Sequence, residues 1–139
     1  MSQSALLDLL ARQVVVMKFI PGDGWSELSR TDLGASPVLS VVADLDADSH
    51  DDVVVLVRGP EEVRILFGDG TGGFGQILAL GFGGVADRLA TLDLDGDGYL
   101  DLAATDGNIR VWTQRNLDGR SFGDLAWVNA GSGVLDMAV

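Results

Sequence analysis

Twice in 139 residues the chain sets a carboxylate at positions one, three, five and nine of a short loop. The first loop is Asp44-Leu45-Asp46-Ala47-Asp48-Ser49-His50-Asp51-Asp52. The second, 49 residues later, is Asp93-Leu94-Asp95-Gly96-Asp97-Gly98-Tyr99-Leu100-Asp101. Four carboxylates brought together repel one another unless a cation sits among them. Hard oxygen donors in a flexible loop suit Ca²⁺ better than a transition metal. The expected ligands are the side chains of Asp44, Asp46, Asp48 and Asp52 and of Asp93, Asp95, Asp97 and Asp101, with the backbone carbonyls of His50 and Tyr99, giving two Ca²⁺ per chain. An acidic turn without metal is the alternative for each loop. An EF-hand is excluded, because the twelfth positions are Val55 and Ala104 rather than Glu and strand-like sequence follows. Ala47 and Ser49 stand where the second loop has Gly96 and Gly98, and glycine makes a sharp turn at least cost, so the first site is expected to be the weaker.

A period near 49 makes repeat architecture the first question. Three copies of one pattern align. Ala5 to Ala11 leads to Val14-Val15-Val16-Met17-Lys18-Phe19, then Pro21-Gly22-Asp23-Gly24 and Trp25. Val53 to Val57 leads to Val63-Arg64-Ile65-Leu66-Phe67, then Gly68 to Gly73 and Phe74. Leu100 to Ala104 leads to Ile109-Arg110-Val111-Trp112, then Leu117-Asp118-Gly119-Arg120 and Phe122. Short runs rich in Val, Ile and aromatics, broken by Asp-Gly, predict hairpin-connected antiparallel strands. A further strand precedes each acidic loop, Val38 to Ala43 and Val85 to Leu92, and another is expected at Val134 to Val139. With that strand as A and the next three as B, C and D, the chain reads BCD (1–33), ABCD (34–83), ABCD (84–132), A (133–139). Ser4 to Gln13 has a helical stripe with Ser4 as a cap, but the repeat register makes it a strand. Four-stranded units at this period predict an all-β chain of propeller blades, about three blade-equivalents, with a β-sandwich of about twelve strands as the alternative.

The net charge is -12, from 21 acidic residues against 9 Lys and Arg. That disfavours nucleic-acid phosphates and anionic membranes as partners. The excess lies in Asp (18) rather than Glu (3), which fits acidic loops better than a generally acidic surface. With no cysteine there is no disulfide framework or thiolate site. No stretch approaches the roughly 20 apolar residues of a membrane span, and Met1 to Ile20, carrying Asp8, Arg12 and Lys18, does not read as a signal peptide. Calcium loops of ordinary affinity nonetheless favour an extracellular or cell-surface setting.

Gly68 to Gly73 satisfies GxGxxG, but no helix follows to present its N-terminus to a phosphate, so it reads as a hairpin turn. His50 is the only histidine, and a backbone ligand is the better reading of its place in the loop. Trp25, Trp112 and Trp127, with Phe74 and Phe122, read as blade-packing residues.

Asp93 to Asp101 followed by Leu102-Ala103-Ala104, and Phe67-Gly68-Asp69-Gly70-Thr71-Gly72-Gly73-Phe74-Gly75, resemble the FG-GAP repeat, also described as the VCBS family, which forms the blades of integrin α-subunit propellers and of many bacterial surface proteins. The resemblance implies propeller blades with Ca²⁺ between strands A and B, and an integrin-like role in cell adhesion or in binding a carbohydrate or protein ligand. A non-catalytic binding module is therefore expected. The alternatives are an assembly unit or a fragment of a larger propeller without its own ligand, and a propeller-based lyase or hydrolase using a loop metal. Propellers have typically 4 to 8 blades, so three blade-equivalents are expected to close head to tail with a second copy, as a homodimeric six-bladed ring with four calcium sites.

Overall fold

The computed structural model describes residues 3–8, 11–81, 84–107 and 110–129. Among them there is no helix, and hence none long and apolar enough to cross a membrane. In the described residues eleven strands form three antiparallel sheets. The first holds β1 (Gln3–Asp8), β2 (Gln13–Ile20) and β3 (Gly24–Asp32). The second runs β4 (Ser36–Ala43), β5 (Asp52–Arg58), β6 (Glu62–Gly68) and β7 (Phe74–Gly81). The third runs β8 (Arg88–Leu92), β9 (Asp101–Thr105), β10 (Arg110–Gln114) and β11 (Ala126–Asn129). Strands are ordered as they occur along the chain in every sheet, so each is a meander of hairpins.

Several boundaries differ from the sequence reading. β1 stops at Asp8, whose carboxylate accepts the Ala11 N–H at 3.0 Å in a turn where Arg12 takes φ 57°. β8 starts at Arg88 rather than Val85, because Arg58 holds the preceding segment as a loop by donating to the Ala86 carbonyl and the Asp87 carboxylate. β10 runs to Gln114, beyond the expected end at Trp112. The strand expected at Val134 to Val139 lies outside the described residues.

The second sheet lies between the other two, which explains the unbroken apolar run of β5. Side chains alternate between faces along a strand, so a run apolar at every position needs cover on both sides. Val53, Val55 and Val57, with Leu66 from β6, pack with Val14, Val16, Leu33 and Ala35. Val54 and Leu56, with Val63, Ile65 and Phe67, pack with Leu102, Ala104 and Trp112. The sheets approach one another most closely through their first strands β1, β4 and β8. The last strands, β3, β7 and β11, are mostly exposed. The array is a fan, closed at one edge and open at the other.

This packing separates the tryptophans. Trp112 is buried between the second and third sheets, whereas Trp25 and Trp127, read from sequence as packing residues, are 52% and 58% exposed. They lie on β3 and β11, in the terminal sheets.

Leu56, 1% exposed in the middle of the central sheet, should lose about 2–5 kcal/mol on Leu56→Ala through lost burial and the cavity left behind. Ile77→Ala, at a half-exposed site on β7, should cost less than about 1 kcal/mol. Urea unfolding of the two variants checks the difference.

Candidate metal centres

Each acidic loop joins the first two strands of a four-stranded sheet, between Ala43 and Asp52 and between Leu92 and Asp101. The opening carboxylate organises it. Asp44 accepts the N–H groups of Asp48 and Ser49 at 3.2 and 2.8 Å. Asp93 accepts those of Gly96, Asp97 and Gly98 at 2.8, 3.2 and 2.9 Å. The fifth-position carboxylates each take an amide two residues on, His50 to Asp48 at 2.8 Å and Tyr99 to Asp97 at 2.9 Å. Such bonds favour the ionised form: the Gly98 amide above all holds Asp93 below the usual carboxylate range, and the His50 amide does the same for Asp48.

Both loops use left-handed backbone at positions four and six. Gly96 and Gly98 have φ 75° and 92°; Ala47 and Ser49 have φ 60° and 71°. The first loop thus makes the same turn with residues that carry a Cβ, at roughly 1–2 kcal/mol for each such residue.

The ninth position has a role that its sequence does not announce. Asp52, fully buried, accepts the Leu45 N–H at 2.7 Å and the Gly68 N–H at 2.9 Å on its two oxygens. Asp101, also fully buried, accepts Leu94 N–H and Asn116 N–H, both at 2.7 Å. In each of these sheets one carboxylate therefore ties the loop's second residue to the end of the third strand, Gly68, or to the turn just after it, Asn116. Burial pushes the Asp52 carboxyl up to about 6, aided by the neighbouring Asp46 and Asp48 and opposed by the two amides. Without a bound cation, Asp52 favours the fold most below its ordinary value of 3.8, and that contribution is lost as pH rises through about 6.

Carboxylate oxygens of Asp44, Asp46 and Asp48 lie within 4.8 Å of one another, as do those of Asp93, Asp95 and Asp101. Asp52 and Asp97 stand outside these sets. Oxygens bound to one Ca²⁺ at 2.3–2.6 Å are at most roughly 5.2 Å apart, so both sets have the right spread. Asp46 adds a second sign: its side chain is only 8% exposed, and its Oδ1 is buried with no hydrogen-bond partner. A hard cation fits that atom and its neighbours. His50 turns its ring toward Gly70, where a Cβ would meet the imidazole at 2.5 Å.

The segment holding both loops and everything between them, residues 44–104, matches the FG-GAP-like repeat. This segment is an FG-GAP-like repeat. No curated protein and no solved structure matches the chain. The FG-GAP-like segment includes β5 to β8 and ends inside β9, so the third sheet's turn after β10 lies beyond it.

That turn holds the residues that sequence reasoning passed over. Asn116, fully buried, donates through Nδ2 to the Leu45 carbonyl at 2.7 Å and the Leu100 carbonyl at 3.1 Å, and accepts the Gly119 N–H at 2.7 Å. It joins the turn of the third sheet to the acidic loop of the second. Gly119, at φ 105°, sits so close that a Cβ would meet the Asp46 Cα at 2.9 Å. Arg120 then reaches the Asp46 carboxylate at 2.7 Å. Only the departure of Asn116 from the glycine of the equivalent position, Gly68, hints at this in the sequence. The Gly68–Gly73 segment is a hairpin turn, closed by Asp69 N–H to the Gly73 carbonyl at 3.1 Å and by Thr71 on Asp69, and β7 follows it directly.

Asp52→Asn and Asp101→Asn each leave one backbone N–H facing an NH₂ group. Each should cost about 1–3 kcal/mol, measured by denaturation in EDTA so that no cation contributes. Ala47→Gly should raise stability by up to about 1 kcal/mol, relief of left-handed strain outweighing the entropy of the added glycine; a lower thermal midpoint would contradict the strain argument.

Proposed function

We propose that the chain is a calcium-stabilised, β-propeller-type module that binds or adheres rather than catalyses. The observation that carries this reading is the pair of three-carboxylate sets, each within 4.8 Å, one of them containing the buried and unpaired Asp46 Oδ1. A Ca²⁺ in each would neutralise charge that the fold concentrates, with Asp44, Asp46 and Asp48 or Asp93, Asp95 and Asp101 as ligands. The non-catalytic reading is supported by the ninth-position carboxylates, committed to two backbone N–H groups each and so poorly placed as acid or base. Modules outside cells bind Ca²⁺ at roughly 10⁻⁴–10⁻³ M, which suits an extracellular or cell-surface setting. The edge-to-face Phe19–Trp25 pair, and Trp127 with Arg110 over its ring, offer exposed aromatic surface for a carbohydrate or protein ligand.

Ca²⁺ at 100 times its Kd should stabilise the fold by about 2.7 kcal/mol per site, roughly 10 °C in thermal midpoint for a chain of this size. Calorimetric titration should count two ions per chain. Identical melting curves in Ca²⁺ and EDTA would exclude the calcium reading.

A second copy is the proposed partner, and the repeat supplies the reason. Val54 and Val63 face the third sheet. Their counterparts 49 and 48 residues on, Ala103 and Val111, fall on the third sheet's opposite face, with Val128 paired to Val111 and 53% exposed. At the other end of the fan, Phe19 and its cross-strand partner Trp25 are exposed on the first sheet. Small residues on one terminal face and large aromatics on the other suit head-to-tail stacking. Light scattering after gel filtration should give twice the chain mass, and Val128→Asp should reduce it to one. A monomer at high micromolar concentration would rule out the dimer.

A further inference from the structure

Arg120 sits on the first acidic loop although it belongs to the third sheet's turn, 74 residues away in sequence. Its Nε donates to Asp46 Oδ2 at 2.8 Å, and its Nη2 lies 2.7 Å from the same oxygen. Its Nη1 donates to Gln76 Oε1 at 3.1 Å, and its guanidinium lies over the Phe67 ring at 4.6 Å. An arginine usually spreads its fork over both oxygens of a carboxylate. Here the fork is spent on one oxygen, and the other, Oδ1, stays buried without a partner. The Asp46 side chain is 8% exposed and that of Arg120 45%. The anion is fixed in the fold, while its cation stands at the edge, with water on one side.

The second loop holds its counterpart more loosely. Asp95, which corresponds to Asp46, accepts the Asp97 N–H at 3.3 Å and meets Arg115 at 3.5 Å; its side chain is 25% exposed and that of Arg115 61%. The two loops share backbone shape, opening carboxylate and ninth-position bridge, yet differ in how closely a cation of the chain holds the third-position carboxylate.

We propose that Arg120 is the resident cation of the first loop: it holds Asp46 in place without metal and competes with a divalent cation for the Asp44–Asp46–Asp48 site. This rests on the calcium reading above and deepens it, by making the first loop the metal-tolerant site and the second the metal-dependent one. The physical reason is that a burial this complete demands a counter-charge, and a guanidinium bonded to Asp46 stands close enough to repel an incoming divalent ion strongly where water screens little. Because Arg120 is half-exposed, it can return to solvent when a metal takes its place.

The test is calorimetric Ca²⁺ titration of the full chain with each loop isolated, Asp95→Ala silencing the second and Asp46→Ala the first. Arg120→Gln on the Asp95→Ala background should tighten Ca²⁺ binding at the first loop about tenfold or more, whereas Arg120→Lys, which keeps the charge, should stay near the parent. Thermal melts give a second readout: Arg120→Gln should lower the midpoint in EDTA and recover it in Ca²⁺, whereas loss of a merely structural contact lowers it equally in both. If the second loop binds Ca²⁺ but Arg120→Gln leaves the first loop unchanged or weaker, or the midpoint falls equally in both conditions, the inference is overturned and the calcium reading stands. If neither loop binds Ca²⁺ in any background, both fall.

Discussion

A buried carboxylate holding two backbone N–H groups is the interaction on which both four-stranded sheets depend. Asp52 and Asp101 are each the first residue of a second strand, and each reaches back to its own loop and across to the end of the third strand or the turn just after it. Elsewhere in a meander a loop can drift without disturbing the ladder beside it. Here the loop's amide and the third strand's end share one anchor, so the acidic loop takes a defined shape relative to the sheet. An apolar residue there would leave two buried donors unmet, and an amide would satisfy only one.

The cost of that device is charge. Two loops concentrate nine of the chain's 21 acidic residues, and burial with nearby carboxylates raises the Asp52 carboxyl. The fold offsets this in three ways. Backbone amides turn inward onto the opening and fifth carboxylates. Carboxylate oxygens are gathered at the spacing of a common cation. At the first loop, an arginine from a neighbouring sheet sits on the largely buried Asp46 carboxylate. The middle device is the basis of the proposed calcium reading; the last belongs to this chain's own turn after β10.

Stacking supplies the rest of the order. The central sheet is covered on both faces, and the sheets converge at β1, β4 and β8. Polar bonds stitch the same seams: Arg64 to the Leu33 carbonyl, Ser29 to the Gly72 carbonyl, Arg58 to Ala86 and Asp87, and Asn116 to Leu45. Each joins one sheet to the next. The sheets accordingly form one continuous array in which the acidic loop of one sheet is built partly by the turn of its successor.

The all-β class, the meander order and the loops' turns were legible in the chain itself, because they arise from short-range physics. Alternation or saturation of apolar residues declares a strand and how many of its faces are covered, Asp-Gly declares a hairpin, and carboxylates at alternate positions declare an Asx-rich loop. Gly96 and Gly98 even marked the two left-handed positions that Ala47 and Ser49 adopt at greater cost. The partners of those residues were not legible. That Asp52 and Asp101 face inward onto amides, that Trp112 is buried while Trp25 and Trp127 are exposed, and that Arg120 meets Asp46 across 74 residues all depend on which sheet lies against which. Local preference cannot decide such pairings, since an aspartate or an arginine has the same preference in every acidic turn; only the stacking of the sheets brings a particular pair of charges together and removes the water between them.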